Sequence, residues 1–152
     1  MELIIQELRE LVQDYGKKVS TISEQDFLAK PLPTKWSKIE VLGHLIDSAQ
    51  NNLRRFICGQ YESSPPRIVY DQDMWVNANN YKSAKKEHVI QLWILLNERI
   101  CDILKTMPVA VYDKQCNAGK EAPQLYSLLY FAEDYVKHMK HHLNQIIPGS
   151  LN

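Results

Sequence analysis

Cysteine is the first thing this chain has little of: Cys58, Cys101 and Cys116 are its only three, widely spaced and without a Cys-x-x-Cys pair. An odd, scattered set argues against a disulfide framework and a zinc ribbon. It leaves reduced, buried thiols as the ordinary reading, with a cysteine–histidine nucleophile as the alternative. Charge of one sign is missing as well. Lysine plus arginine and aspartate plus glutamate each total 18, so the chain lacks the basic excess of a nucleic-acid binder, and no nucleic acid is expected as a partner. No apolar run approaches the length of a membrane span. The start, Met1-Glu2-Leu3-Ile4-Ile5-Gln6, carries neither a basic leader nor a signal-peptide core, so a cytoplasmic location is expected. Repeats and low-complexity tracts are absent, and nothing alternates long enough to make a useful strand.

What remains is an ordinary globular composition, 45% hydrophobic and 24% charged over 152 residues, which suits a single domain spanning 1–152. Four segments carry helical periodicity. The first runs from Glu2 to Ser20, with Leu3, Leu8, Leu11, Val12, Tyr15 and Val19 directed inward. The second opens at Ser37, where Ser37 and Glu40 have capping-box spacing and Trp36 and Val41 that of a hydrophobic staple. It is expected to end near Cys58, with Gly59 as terminator. The third covers Ala84 to Met107, with Val89, Leu92, Trp93, Leu96, Ile100, Ile103 and Leu104 inward and Pro108 ending it. The fourth is expected from Pro123, in its first turn, to Ile147, closed by Pro148-Gly149. The linker from Gly59 to Ser83 is too long for a structureless connection, and Tyr70 to Trp75 can supply a helical turn within it. Four helices with one long connection predict an all-α four-helix bundle.

Three of the five histidines fall in His138-Met139-Lys140-His141-His142. Successive helical residues turn about 100°, so these three cannot share one ion. His138 and His142, four apart, lie on one face. The inward stripe of Leu125, Leu129, Ala132, Val136, Met139, Leu143 and Ile146 places that pair along its edge and His141 nearly opposite. A metal belongs at such an edge, where ligands are held and substrate can enter. The bland reading is a pair of solvated histidines suited to the helix dipole. His44 is the natural third ligand, yet it lies off its helix's apolar face, in a stripe with Glu40, Asp47, Ser48, Asn51 and Arg55. Periodicity leaves that stripe either an ordinary wet surface or the wall of a polar groove. His88, beside Lys85, Lys86 and Glu87, reads as surface.

The segment Trp36-Ser37-Lys38-Ile39-Glu40-Val41-Leu42-Gly43-His44-Leu45-Ile46-Asp47-Ser48 resembles the tryptophan-to-histidine signature of the DinB-like superfamily. His138-Met139-Lys140-His141-His142 with Gln145-Ile146 resembles its closing His-x-x-x-His motif, and Tyr70-Asp71-x-x-x-Trp75 resembles a linker segment of its YfiT branch. That branch includes bacillithiol S-transferases and metal-dependent hydrolases. The resemblance runs from Leu32 to Ile146. It implies a four-helix bundle holding one divalent metal ion through His44, His138 and His142, and so puts His44 in the groove. It also implies a homodimer.

Three neutral imidazoles leave a coordination position open, as catalytic rather than structural sites do. Zinc is the default, with nickel or another transition metal as alternatives. Such an ion lowers the pKa of bound water to about 7 and deprotonates a coordinated thiol. Either route gives a nucleophile, and the resemblance implies the thiol one: a metal-dependent thiol S-transferase, joining a small-molecule thiol such as bacillithiol to an electrophile, or a related hydrolase. The alternative is a non-catalytic stress-response or metal-binding bundle. Asp47 either orients His44 or a bound water, or is an exposed carboxylate. Arg54 and Arg55 either contact a substrate carboxylate or are solvated. Tyr70, Asp71 and Trp75 either fold over the site mouth to touch substrate or tie the linker down.

Overall fold

In the computed structural model, which describes residues 1–151, helix α1 (Glu2–Ser20) buries Ile5, Leu8, Leu11, Val12, Tyr15 and Val19. Leu3, expected inward, is 81% exposed, because the buried stripe starts at Ile5 and continues one turn on at Leu8. A short helix, α2 (Glu24–Leu28), follows, with the Ser23 side chain accepting from the Asp26 backbone N–H. It seats Phe27, fully buried, in the core. No periodicity announces a helix this short.

Helix α3 (Lys38–Tyr61) opens at the expected capping box. Glu40 Oε2 accepts from the Ser37 backbone N–H at 2.8 Å and from its hydroxyl at 2.7 Å. The helix does not stop at Gly59. A Cβ there would come within 2.6 Å of Leu128 Cδ2 and 3.0 Å of Cys116 Sγ, so this glycine serves a close approach inside the helix rather than a left-handed cap. The end is closed from outside by Lys114, whose Nζ donates to the carbonyls of Gln60 (2.9 Å) and Glu62 (3.2 Å).

The linker is built, not loose. Asp71 caps α4 (Gln72–Asn79) by accepting from the N–H groups of Asp73 and Met74, and Asn80, at φ 47°, ends it in the left-handed region. A 3-10 turn, Tyr81–Ser83, leads into α5 (Lys86–Thr106), which starts at Lys86 rather than Ala84. Val89, Trp93, Ile100 and Leu104 are buried as expected, but Leu92 is 44% exposed. Asn97 is fully buried instead, and it accepts from the Tyr135 hydroxyl at 2.6 Å and donates to Trp93 O at 2.7 Å.

Two three-residue strands, β1 (Gln115–Asn117) and β2 (Leu125–Ser127), pair antiparallel, and α6 (Leu128–Ile146) follows. The fourth helix therefore starts after Pro123, not on it. Asn117 Oδ1 accepts from the backbone of Gly119 and Gln124, holding Pro123 in the hairpin loop. Ser127 then caps the helix, accepting from Tyr130 N–H at 3.1 Å. Leu125, expected inward, is 46% exposed. Strands this short leave no alternation to read.

Buried apolar residues of α1, α3, α5 and α6 join one core cluster, and these four make the bundle. No described helix is long and apolar enough to cross a membrane.

Candidate metal centre

The polar stripe of α3 is not a wet surface. Glu40, His44, Asp47, Ser48, Asn51 and Arg55 are all buried, because α6, the linker and the turn after α4 lie across them. Tyr81 donates its hydroxyl to Asp47 Oδ1 at 2.6 Å, and Asn79 Nδ2 donates to the same oxygen at 3.0 Å. Arg55 Nη2 donates to Ile68 O at 2.9 Å and Nη1 to Asn52 Oδ1 at 3.1 Å, and the guanidinium lies 4.7 Å from the Phe131 ring centre. Arg55 thus ties the linker to α3, while Arg54 is exposed.

His44, 1% exposed, faces the two α6 histidines. Its Nε2 lies 3.1 Å from His138 Nε2, and one ring nitrogen from each of His44, His138 and His142 falls within 4.8 Å of the others. His141 is exposed and outside the cluster, and His88 is also exposed. The i, i+4 spacing on α6 and the crossing of α3 over that edge assemble the three.

Burial pushes His44 down to about 3 and His138 to about 4, and neighbouring imidazoles add in the same direction. Burial also lowers His142, partly opposed by its bond to Gln145. All three are therefore neutral near pH 7, with lone pairs free for coordination. A tetrahedral ion with nitrogen ligands at about 2.0–2.1 Å spaces neighbouring nitrogens about 3.3 Å apart. The 3.1 Å pair already sits near that value, and the third nitrogen lies within 4.8 Å of both. The donor set fits a borderline transition metal such as zinc or nickel.

The ligands have unequal support. His142 Nδ1 meets Gln145 Oε1 at 3.0 Å, and His138 Nδ1 lies 3.5 Å from Ser48 Oγ. His44 Nδ1 and Asp47 Oδ2 are both buried without a hydrogen-bond partner among the described residues. Burial raises Asp47 to about 6, opposed by the Tyr81 hydrogen bond. Trp36 covers the outer side of His44, ring centres 5.1 Å apart. A cleft of about 790 Å³ opens beside His142 and Gln145, lined also by Trp36, Lys30, Lys35, Lys38, Asp26 and Asp73. In the linker, Tyr70 packs edge-on against Trp75 at 5.6 Å, and burial raises the Tyr70 phenol. Asp71 is exposed and spent on capping α4.

Sequence reasoning missed Tyr81 and Asn79, which grip Asp47 from the linker. One signal was available. A Cβ at Gly43 would come within 2.1 Å of the Tyr81 ring, and a glycine beside His44 in mid-helix marks such a close approach.

Fold and site together define a four-helix bundle with a candidate three-histidine metal centre. The chain belongs to the DinB superfamily, whose model matches residues 4–146. It is 25% identical over 145 residues to YfiT of Bacillus subtilis (strain 168), covering 93% of this chain and 79% of that protein. The solved structure of YfiT, a probable metal-dependent hydrolase with an unusual four-helix bundle topology, superposes with a TM-score of 0.85 at 23% identity, over 95% of this chain and 82% of that one. A mycothiol-dependent maleylpyruvate isomerase superposes with a TM-score of 0.80 at 9% identity, over 99% of this chain and 64% of the other, a likeness of fold.

Proposed function

We propose that this protein is a metal-dependent thiol S-transferase, with His44, His138 and His142 holding one divalent ion. The observation that carries the reading is the convergence of three desolvated, neutral imidazoles at the edge of a cleft. Such an ion keeps a coordination position open and makes a thiol or water acidic enough to react at neutral pH. The chain's own residues do the rest. Trp36 screens His44 from water, and the three lysines of the cleft, against two aspartates, favour a substrate carrying negative charge. Asp47, one turn from His44 and held by Tyr81 and Asn79, is proposed to orient His44 or a water nearby. Tyr70, Asp71 and Trp75 are the linker residues proposed to contact substrate, and Arg55 of α3, proposed for substrate binding too, acts there by holding the linker in place. The resemblance implies a homodimer, and the scattered, unpaired cysteines fit a reducing, cytoplasmic setting.

Hydrolysis is the second reading, favoured by the description of YfiT. Metal content of untagged protein, measured by plasma mass spectrometry beside His44→Ala and His138→Ala, tests both. Near one ion per chain, lost in each variant, is the expected result. Turnover of an electrophile that needs both metal and thiol then supports the transferase, and a thiol-independent rate supports the hydrolase. A wild type that takes up neither zinc nor nickel ends the metal reading. Metal already saturated by protein ligands leaves a non-catalytic bundle.

A further inference from the structure

A neutral imidazole has one N–H and one lone pair, and the hydrogen bond made by one nitrogen decides which the other presents. The three histidines of the cluster differ in this respect. His44 Nδ1 has no partner among the described residues. His138 Nδ1 has the Ser48 hydroxyl at 3.5 Å, and a hydroxyl can donate or accept, so it imposes no tautomer. His142 alone of the three meets a carbonyl oxygen. The carbonyl oxygen of Gln145, 3.0 Å away, can only accept, so His142 Nδ1 carries the proton and Nε2 keeps its lone pair for the cluster.

The other end of that amide is paired as well. Gln145 Nε2 lies 3.0 Å from His141 Nε2, and an amide nitrogen can only donate. While His141 accepts there, the amide cannot turn its NH₂ towards His142 without losing a bond. The spacing is that of one helical stripe: His142 lies three residues before Gln145 and His141 four, both within reach on α6. The histidine that the helical wheel excludes from the ion thus backs the residue that orients a ligand.

We infer that Gln145 is a positioning residue, which presets His142 as a metal ligand through Nε2, with His141 backing the amide by accepting from its NH₂. The inference rests on the metal-centre reading, but its first measurement does not need metal. Ring-nitrogen NMR of the metal-free protein reports the tautomer of each histidine, and wild type is compared with Gln145→Glu and Gln145→Met. The expected wild-type signal for His142 is a protonated Nδ1 with an unprotonated Nε2. Gln145→Glu keeps an acceptor and the tautomer, while Gln145→Met lets His142 drift towards the other form, with His44 and His138 signals unmoved. In a zinc titration, Gln145→Met is expected to weaken binding by about 10–100-fold, with most of the affinity retained in Gln145→Glu.

A wild-type His142 protonated on Nε2, or a Gln145→Met protein with unchanged tautomer and zinc affinity, overturns the inference. If wild type binds no zinc while the His142 tautomer still follows Gln145, the metal reading fails and the tautomer assignment stands.

Discussion

Three buried ionisable groups give the metal-free protein a pH dependence with competing signs. His44 and His138 fall from the usual 6.5 to about 3 and about 4. Below pH 6.5 the unfolded chain therefore holds protons the folded one lacks, and stability is lost as pH falls. Asp47 rises from 3.8 to about 6, so the folded chain holds the extra proton, and the stability it contributes at low pH is lost as pH rises through 6. Each proton difference changes stability by up to about 1.4 kcal/mol per pH unit. Two histidines outweigh one aspartate, so metal-stripped protein should weaken as pH falls from 6.5 towards 4. Asp47→Asn should steepen that loss and His138→Gln should flatten it, as read by urea midpoints across the range. A flat wild-type profile would sink the protonation scheme. At this scale spacing and the apolar stripe together singled out His138 and His142 on α6, with a solvated pair as the alternative. His44 was not singled out, because a polar stripe looks the same whether water or another helix covers it, and the resemblance was needed to choose.

Helix α3 carries two element-level tests. Gly43→Ala puts a methyl where the Tyr81 ring lies, so the ring must move and Asp47 loses a donor. Overpacking of this kind costs about 1–3 kcal/mol, more than the roughly 1 kcal/mol alanine gains in helix propensity. Thermal unfolding that shows Gly43→Ala equal to or above wild type would contradict the packing described. At the other end, Lys114→Met removes the donor to Gln60 O and Glu62 O. Losing hydrogen bonds from a charged donor should cost about 1.5–3 kcal/mol in urea unfolding. The long helices were readable because their apolar stripes repeat over several turns and α3 has a capping box. The start of α6, the hairpin before it and the five-residue α2 were not. There, single side chains such as Asn117 and Ser127 set the structure, and no repeat marks them.

The cluster joins α3 to α6, helices brought together only by the completed bundle. An ion held there binds the folded chain and not the unfolded one, so it should act as a tether. At free zinc about 100 times the dissociation constant, linkage stabilises the fold by about 2.7 kcal/mol. For a chain of this size that raises the melting temperature by roughly 5–11 °C. Calorimetry should find that rise in wild type and none in His138→Ala, and equal shifts in both would place the ion elsewhere. Every residue from Ile39 to Ala49 is buried, apolar ones against the core and polar ones against the groove. A helix packed on all sides has no face on which neutral change can accumulate. A saturation-mutagenesis map should therefore show tolerance rising and falling every three to four residues along α1 and α5, and one unbroken intolerant band along the first half of α3.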